Sequence, residues 1–347
     1  MRIIAMNRLF TCLCLIALSL HAFAGDTSAK PPLQPASGPG GASYAHARVI
    51  AREVRTGAQG WWLFTPADPT PAQAPVVVFL HGWGAMNPRI YRGWIDHIVR
   101  RGMIVVFPNY QDSLLTRTVT FLPNAIAGIH GALDDLAGSP IHPDLSHVAV
   151  VGHSAGGLLS AEVAARAAAE GLPPFRVVMP VEPGDGDRGG ARRATIPSID
   201  VGDIPTATLF VVVVGAEDHL AGEELGVRLY DQAIRVPAAN KNVVELQSDY
   251  HGTPALIANH AAPAAILDPQ PDDSVNEMPN RFPQRDLRNK DSIDAIDWYG
   301  PWKLFDALCD AAFSGVHRDI ALGGTPAQLG MGVWSDGVPV KPMRVLR

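Results

Sequence analysis

Ser154 lies in Gly152-His153-Ser154-Ala155-Gly156, directly after the apolar run Val148-Ala149-Val150-Val151 and directly before an Ala/Leu-rich stretch over 155–168. A serine held in a strained turn between a strand and a helix exposes its hydroxyl. It leaves no room for side chains two residues before and two after it, and glycine meets that need at both places. The spacing predicts a serine nucleophile.

A serine hydroxyl attacks poorly until a base takes its proton and a third group orients that base. An acid and a histidine are therefore expected after later strands. Gly215-Ala216-Glu217-Asp218 follows the apolar run 207–214, and Ser248-Asp249-Tyr250-His251-Gly252 follows 242–247. Asp218 is the expected acid, with Glu217 and Glu182 as alternatives. His251 is the expected base, with His260 as its rival; His219 follows Asp218 too closely to be its partner. The attacked carbonyl becomes an oxyanion that needs two backbone N–H donors aimed at one point. One is expected from Ala155. The other is expected from His81-Gly82-Trp83-Gly84, after the run 76–80, with Trp83 the first choice and Gly82 the second.

The elements that must position these groups alternate along the chain. An opening antiparallel pair is expected at 47–54 and 61–65, followed by short apolar strands at 76–80, 103–107, 147–151, 175–179, 207–214 and 242–247. Unbroken apolar runs suit parallel strands covered on both faces. Helix-length patterns fall at 90–101, 123–137, 155–170, 222–234 and 301–313. The fold class is α/β: a doubly wound, mostly parallel sheet with helices on both faces and long loop insertions. Two polar stretches, 182–203 and 266–299, are too long for ordinary connections and are candidate lid segments.

Residues 1–24 read as a secretory signal. Arg2 and Arg8 precede the apolar core 9–20, and Ala22-Phe23-Ala24 forms a small-x-small cleavage site. That core is shorter than the roughly 20 residues a bilayer span needs, so no stable membrane span is expected after its removal. Residues 25–43, dense in Pro, Gly, Ala and Ser, are expected to be a flexible leader to a single catalytic domain over 44–347. The expected location is periplasmic or secreted. Cys12 and Cys14 fall inside the signal, leaving Cys309 without an internal disulfide partner. The formal net charge of −6 gives no clustered basic surface for nucleic acid.

The His81-Gly82-Trp83-Gly84 loop, the Gly152–Gly156 segment, Gly215-Ala216-Glu217-Asp218 and Asp249-Tyr250-His251-Gly252 together resemble the α/β-hydrolase family over about residues 47–313. The nearest resemblance is to its dienelactone-hydrolase-like, platelet-activating-factor-acetylhydrolase-like and polyester-hydrolase-like esterases. The resemblance implies a serine hydrolase using Ser154, Asp218 and His251 without a metal or other cofactor. The long segment 266–299 and the missing paired cysteines depart from the compact members of that branch.

The expected activity is hydrolysis of carboxylic esters, small-molecule, lipid or polymer, through an acyl-enzyme. The same groups would also serve an acyltransferase, a peptidase or a thioesterase, and the fold without the chemistry would serve a secreted binding protein. Trp61, Trp62, Trp83, Tyr110 and Trp298 are candidates for an apolar pocket. Asp185-Gly186-Asp187 hints at a calcium loop but lacks the further oxygen ligands such a loop needs. No His-Glu-x-x-His spacing for zinc is present.

Overall fold

A computed structural model of the chain describes residues 28–186, 195–267 and 293–347. The expected signal at 1–24, Asp187 and most of the candidate lid 266–299 fall outside the described residues. Within them, nine strands form one sheet in the order β1-β2-β4-β3-β5-β6-β7-β8-β9. These are β1 (Arg48–Arg55), β2 (Trp61–Ala67), β3 (Gln73–Leu80), β4 (Ile104–Pro108), β5 (His142–His153), β6 (Val177–Val181), β7 (Leu209–Gly215), β8 (Lys241–Leu246) and β9 (Arg344–Val345). Strands β3 to β8 pair in parallel, and β1, β2 and β9 add antiparallel pairings at the two edges. This is the α/β architecture expected from the alternating apolar runs.

Those runs lack alternation because both faces of the sheet are covered. Along β3, Val77 and Phe79 enter one core, while Val76, Val78 and Leu80 enter the other. The first core is closed by α1 (Arg92–Arg100), through Trp94, Ile95 and Ile98, and by α6 (Pro301–Ser314), through Leu304, Phe305 and Leu308. The helix α5 (Ala295–Tyr299) leads into α6. The second core is closed by α2 (Phe121–Ala137), α3 (Ala155–Arg166) and α4 (Glu224–Gln232). Each large side chain buried this way contributes roughly 1.5–3 kcal/mol. Trp61 and Trp62 are spent here, pointing from β2 into opposite cores, and Tyr110 is buried beside Phe121. Of the five candidate pocket aromatics, these three are core residues: Trp61 and Trp62 because successive positions on β2 face the two helical layers, and Tyr110 because the loop after β4 turns it into the second core.

The stretch expected as a flexible leader lies against the body from residue 28 onward. The Gly40 N–H donates to the buried Asp306 carboxylate at 2.7 Å, and His97 Nε2 meets the same oxygen at 2.8 Å. Burial alone would raise the Asp306 carboxyl, but the charges of His97 and Arg101, with those hydrogen bonds, hold it below the usual range. A paired, buried aspartate therefore fastens the leader to α6.

Glu162 sits wholly buried on α3, where one carboxylate oxygen accepts the Ile199 N–H at 2.9 Å and the other has no partner among the described residues. Burial pushes its carboxyl up to about 7, against the single opposing hydrogen bond. The unfolded chain ionises this group near 4.5, so between about pH 4.5 and 7 only the unfolded state loses the proton. Stability present below that window is lost as pH rises through about 7. Urea unfolding should show wild-type stability falling relative to Glu162→Gln by up to about 3 kcal/mol between pH 5 and 8. Parallel pH profiles for the two proteins would refute this assignment.

Candidate active site

The strand order reverses around β3, whose neighbours β4 and β5 lie on opposite sides, and open α/β sheets form their clefts at such a point. Two loops meet there: the one after β3, carrying His81 to Gly84, and the one after β5, carrying Ser154. Ser154 has φ of +56°, a strained conformation held by its N–H bond to Val181 O at 3.0 Å. The two flanking glycines are needed for space. A Cβ on Gly152 would stand 2.0 Å from Gly156 O, and one on Gly156 would stand 2.1 Å from Leu80 O.

His260, not His251, faces the serine. His260 Nε2 is 2.9 Å from Ser154 Oγ, and its Nδ1 is 2.8 Å from Asp218 Oδ2. The network assigns the proton to Nδ1, which donates to the aspartate and leaves Nε2 to accept from the hydroxyl. The expectation of His251 is corrected for a topological reason. After β8 the chain runs outward, and an antiparallel bridge between Asp249 and Leu256 folds it back on itself. His251 is left on the outer turn, its Nε2 2.7 Å from the exposed Asp336 carboxylate. The returning limb is tied to the strand ends by Ala258 N–H to Ser248 Oγ and Glu217 N–H to Ala258 O, both 2.9 Å, which brings His260 over the site.

Asp218 occupies the acid position. Its Oδ1 accepts the N–H groups of Leu220 and Ala221, each at 2.9 Å, leaving Oδ2 for the imidazole. Burial alone would raise its carboxyl, but the His260 hydrogen bond and charge, aided by those amides, hold it below the ordinary carboxylate range. Glu217 turns outward and accepts from Tyr250 Oη at 2.6 Å. Glu182, wholly buried at the end of β6, stands farther off, with Oε2 3.9 Å from His260 Nδ1.

The loop after β3 offers three consecutive amides. The Gly82 N–H donates to Tyr91 Oη and the Gly84 N–H to Gln111 Oε1, both at 2.9 Å. The Trp83 N–H between them has no acceptor among the described residues. The Ala155 N–H opens α3, where an amide has no intrahelical acceptor. The Trp83 ring is half-buried edge-on to Phe121, with centroids 5.3 Å apart. The loop is stiffened from below by His81, fully buried, with Nδ1 2.6 Å from Gly82 O and Nε2 2.5 Å from Asn109 O. Burial pushes its imidazole down to about 4, so at neutral pH the ring carries a single N–H and donates to one of the two carbonyls at a time.

Behind Ser154 lies a set of groups that sequence spacing did not single out. Tyr91 Oη, which accepts from Gly82, is 2.8 Å from His153 Nδ1, and His153 Nε2 is 2.9 Å from the His260 carbonyl oxygen. Burial and the nearby Glu182 charge push the Tyr91 hydroxyl well above its ordinary range, so it stays a donor. The one available signal was that a histidine, His153, fills the variable place before the serine. His153, Glu182 and His260 bring one ligand atom each within 4.8 Å of one another, a spacing that suits a metal ion. A cation there would displace His260 Nδ1 from Asp218 and His153 Nε2 from the His260 carbonyl. The hydrogen-bonded arrangement therefore makes these residues a poor cation site.

A family model described as chlorophyllase matches residues 43–217. The chain belongs to the chlorophyllase family. That family lies within the α/β-hydrolases, in agreement with the nine-stranded sheet, and supports a hydrolase activity. The chlorophyllase match covers the His81–Gly84 loop and Ser154, and it ends one residue before Asp218. It leaves the branch of esterases that the sequence resembles undecided. A stretch of 119 residues, 34% of this chlorophyllase-family chain, is 31% identical to the magnesium-chelatase 30 kDa subunit of Rhodobacter capsulatus. The match spans 38% of that protein's length.

Proposed function

We propose that the protein is an exported serine esterase that cleaves carboxylic esters through an acyl-enzyme. The observation that carries this reading is the continuous line from Ser154 Oγ through His260 to Asp218, with bonds of 2.9 and 2.8 Å. Ser154 Oγ attacks the ester carbonyl carbon as His260 Nε2 takes its proton. Asp218 holds the ring in the productive tautomer and stabilises the imidazolium. The carbonyl oxygen, now an oxyanion, is received by the N–H groups of Trp83 and Ala155. The tetrahedral intermediate collapses, and His260 returns its proton to the leaving alkoxide. Water then repeats the sequence on the acyl-serine and releases the acid.

Export rests on the basic and apolar pattern of residues 1–24. Among the described residues no helix is long and apolar enough to cross a membrane. Leu114, partly exposed, lies against Gly84 in the loop that offers the Trp83 amide, which favours esters with a hydrophobic part. The family's name makes chlorophyll one member of the substrate panel, beside short-chain and long-chain p-nitrophenyl esters.

The test is labelling by a fluorophosphonate, which reacts only with an activated serine, together with hydrolysis of that panel. Ser154→Ala should lose labelling and lower kcat/KM by about 10⁴-fold or more while melting as the wild type does. Near-normal hydrolysis by this variant would refute the reading. Product analysis in water and in added alcohol separates a hydrolase from an acyltransferase. A binding protein on this fold would leave the probe unreacted.

A further inference from the structure

Glu182 is the residue after β6, with φ of +46°, a left-handed conformation that side chains rarely adopt. Its N–H bond to Val213 O at 2.7 Å holds that strain against β7. The conformation turns a wholly buried carboxylate toward two imidazoles: Oε2 lies 3.5 Å from His153 Nε2 and 3.9 Å from His260 Nδ1. The two rings are themselves 4.8 Å apart between centroids. His153 is thus the centre of a line that begins at the Gly82 N–H, passes through Tyr91 Oη, and ends on the backbone carbonyl of His260. The loop that offers the Trp83 amide and the loop that carries the base are joined behind the nucleophile.

We propose that Glu182 is a positioning residue of the active site. Its carboxylate holds the His153 link between the two loops and adds, beside Asp218, a second negative charge behind His260 as that ring takes the Ser154 proton. The inference rests on the serine-esterase reading for its consequence in turnover, but not for the electrostatic contact itself. The titratable groups around Glu182 include His153 from β5, His260 from the limb that follows β8 and Tyr91 from the turn before α1, with Asp218 from the loop after β7 on the same nitrogen of His260. A carboxylate 3.9 Å from an imidazole favours the charged ring, so its removal makes the ring easier to deprotonate and the imidazolium of the transition state harder to form.

Two measurements test this on the full chain. The first is the pH dependence of ester hydrolysis by the wild type, Glu182→Gln and Glu182→Asp. In Glu182→Gln the acid limb of kcat/KM should move about one pH unit lower and kcat on the plateau should fall about tenfold, with KM little changed. Glu182→Asp keeps the charge but draws it back by one methylene, and its limb should lie between the other two. A merely structural residue would lower activity without moving the limb. A folded Glu182→Gln protein with an unmoved limb would overturn the proposal. If that variant does not fold, an Asp variant with the wild-type limb overturns it instead.

The second measurement is the NMR titration of the His260 ring in the wild type and the same variants, which needs no turnover. The midpoint should move in the same direction as the limb, and a midpoint common to all three proteins refutes the contact. A wild type that neither labels with fluorophosphonate nor hydrolyses any ester overturns the serine-esterase reading. The NMR midpoints decide the Glu182 contact in that case as well.

Discussion

His260→Ala lowers kcat/KM for ester hydrolysis by about 10⁴- to 10⁶-fold, whereas His251→Ala stays within about twofold of the wild type. The contrast follows from where the two rings sit. His260 Nε2 is the group within 2.9 Å of the Ser154 hydroxyl, and without it the serine keeps its proton and the alkoxide leaves without one. The residual rate is then what the oxyanion donors and substrate binding supply. His251 bonds to Asp336 in an exposed pair, with 36% and 44% of the side chains accessible. Such a pair contributes about 1 kcal/mol or less to stability and nothing to proton transfer. Steady-state rates with p-nitrophenyl esters, plus fluorophosphonate labelling of both variants, check the prediction. A His251→Ala protein as impaired as His260→Ala, with an unchanged melting temperature, would reverse the assignment.

The mistaken choice between these histidines shows which parts of the site a linear reading reaches. The apolar runs behind β3 to β7 are legible because a strand covered on both faces is apolar at nearly every position of its covered part, and each such run ends in a loop at the same edge of the sheet. Ser154 is legible because its turn excludes side chains at two fixed places, so Gly152 and Gly156 mark it locally. Asp218 is nearly as legible, since it follows β7 within a tight turn closed by its own carboxylate. His260 is not, because the residues between β8 and the base are folded back by a single bridge, Asp249 to Leu256, and no local spacing encodes that return. Strand β9 escaped for a similar reason: two residues, Arg344 and Val345, pair with β8 from far along the chain. The oxyanion loop illustrates an intermediate case. Glycines showed that His81 to Gly84 must turn sharply, but only Tyr91 and Gln111 show which amides are already taken.

Asp218→Asn should lower kcat/KM by about 10³- to 10⁴-fold while leaving the protein folded, and the loss arises from hydrogen-bond direction. In the native site one carboxylate oxygen accepts the Leu220 and Ala221 amides, and the other accepts the His260 Nδ1 proton. An asparagine has one acceptor and one donor for these two places. With its oxygen on the loop amides, its NH₂ faces Nδ1 and favours the tautomer carrying hydrogen on Nε2, which can no longer accept from Ser154. Turned the other way, the NH₂ opposes two amide donors and the loop loses its closure. The variant should therefore bind substrate with little change in KM and fail in kcat. Glu182 stands too far from Nδ1, at 3.9 Å, to replace the lost bond, so a shift of the whole acid function to it is not expected. Its charge remains, however, and Asp218→Asn combined with Glu182→Gln should be slower than Asp218→Asn alone. Single-turnover acylation rates measure the effect, and an Asp218→Asn protein within tenfold of the wild type would move the acid role away from Asp218.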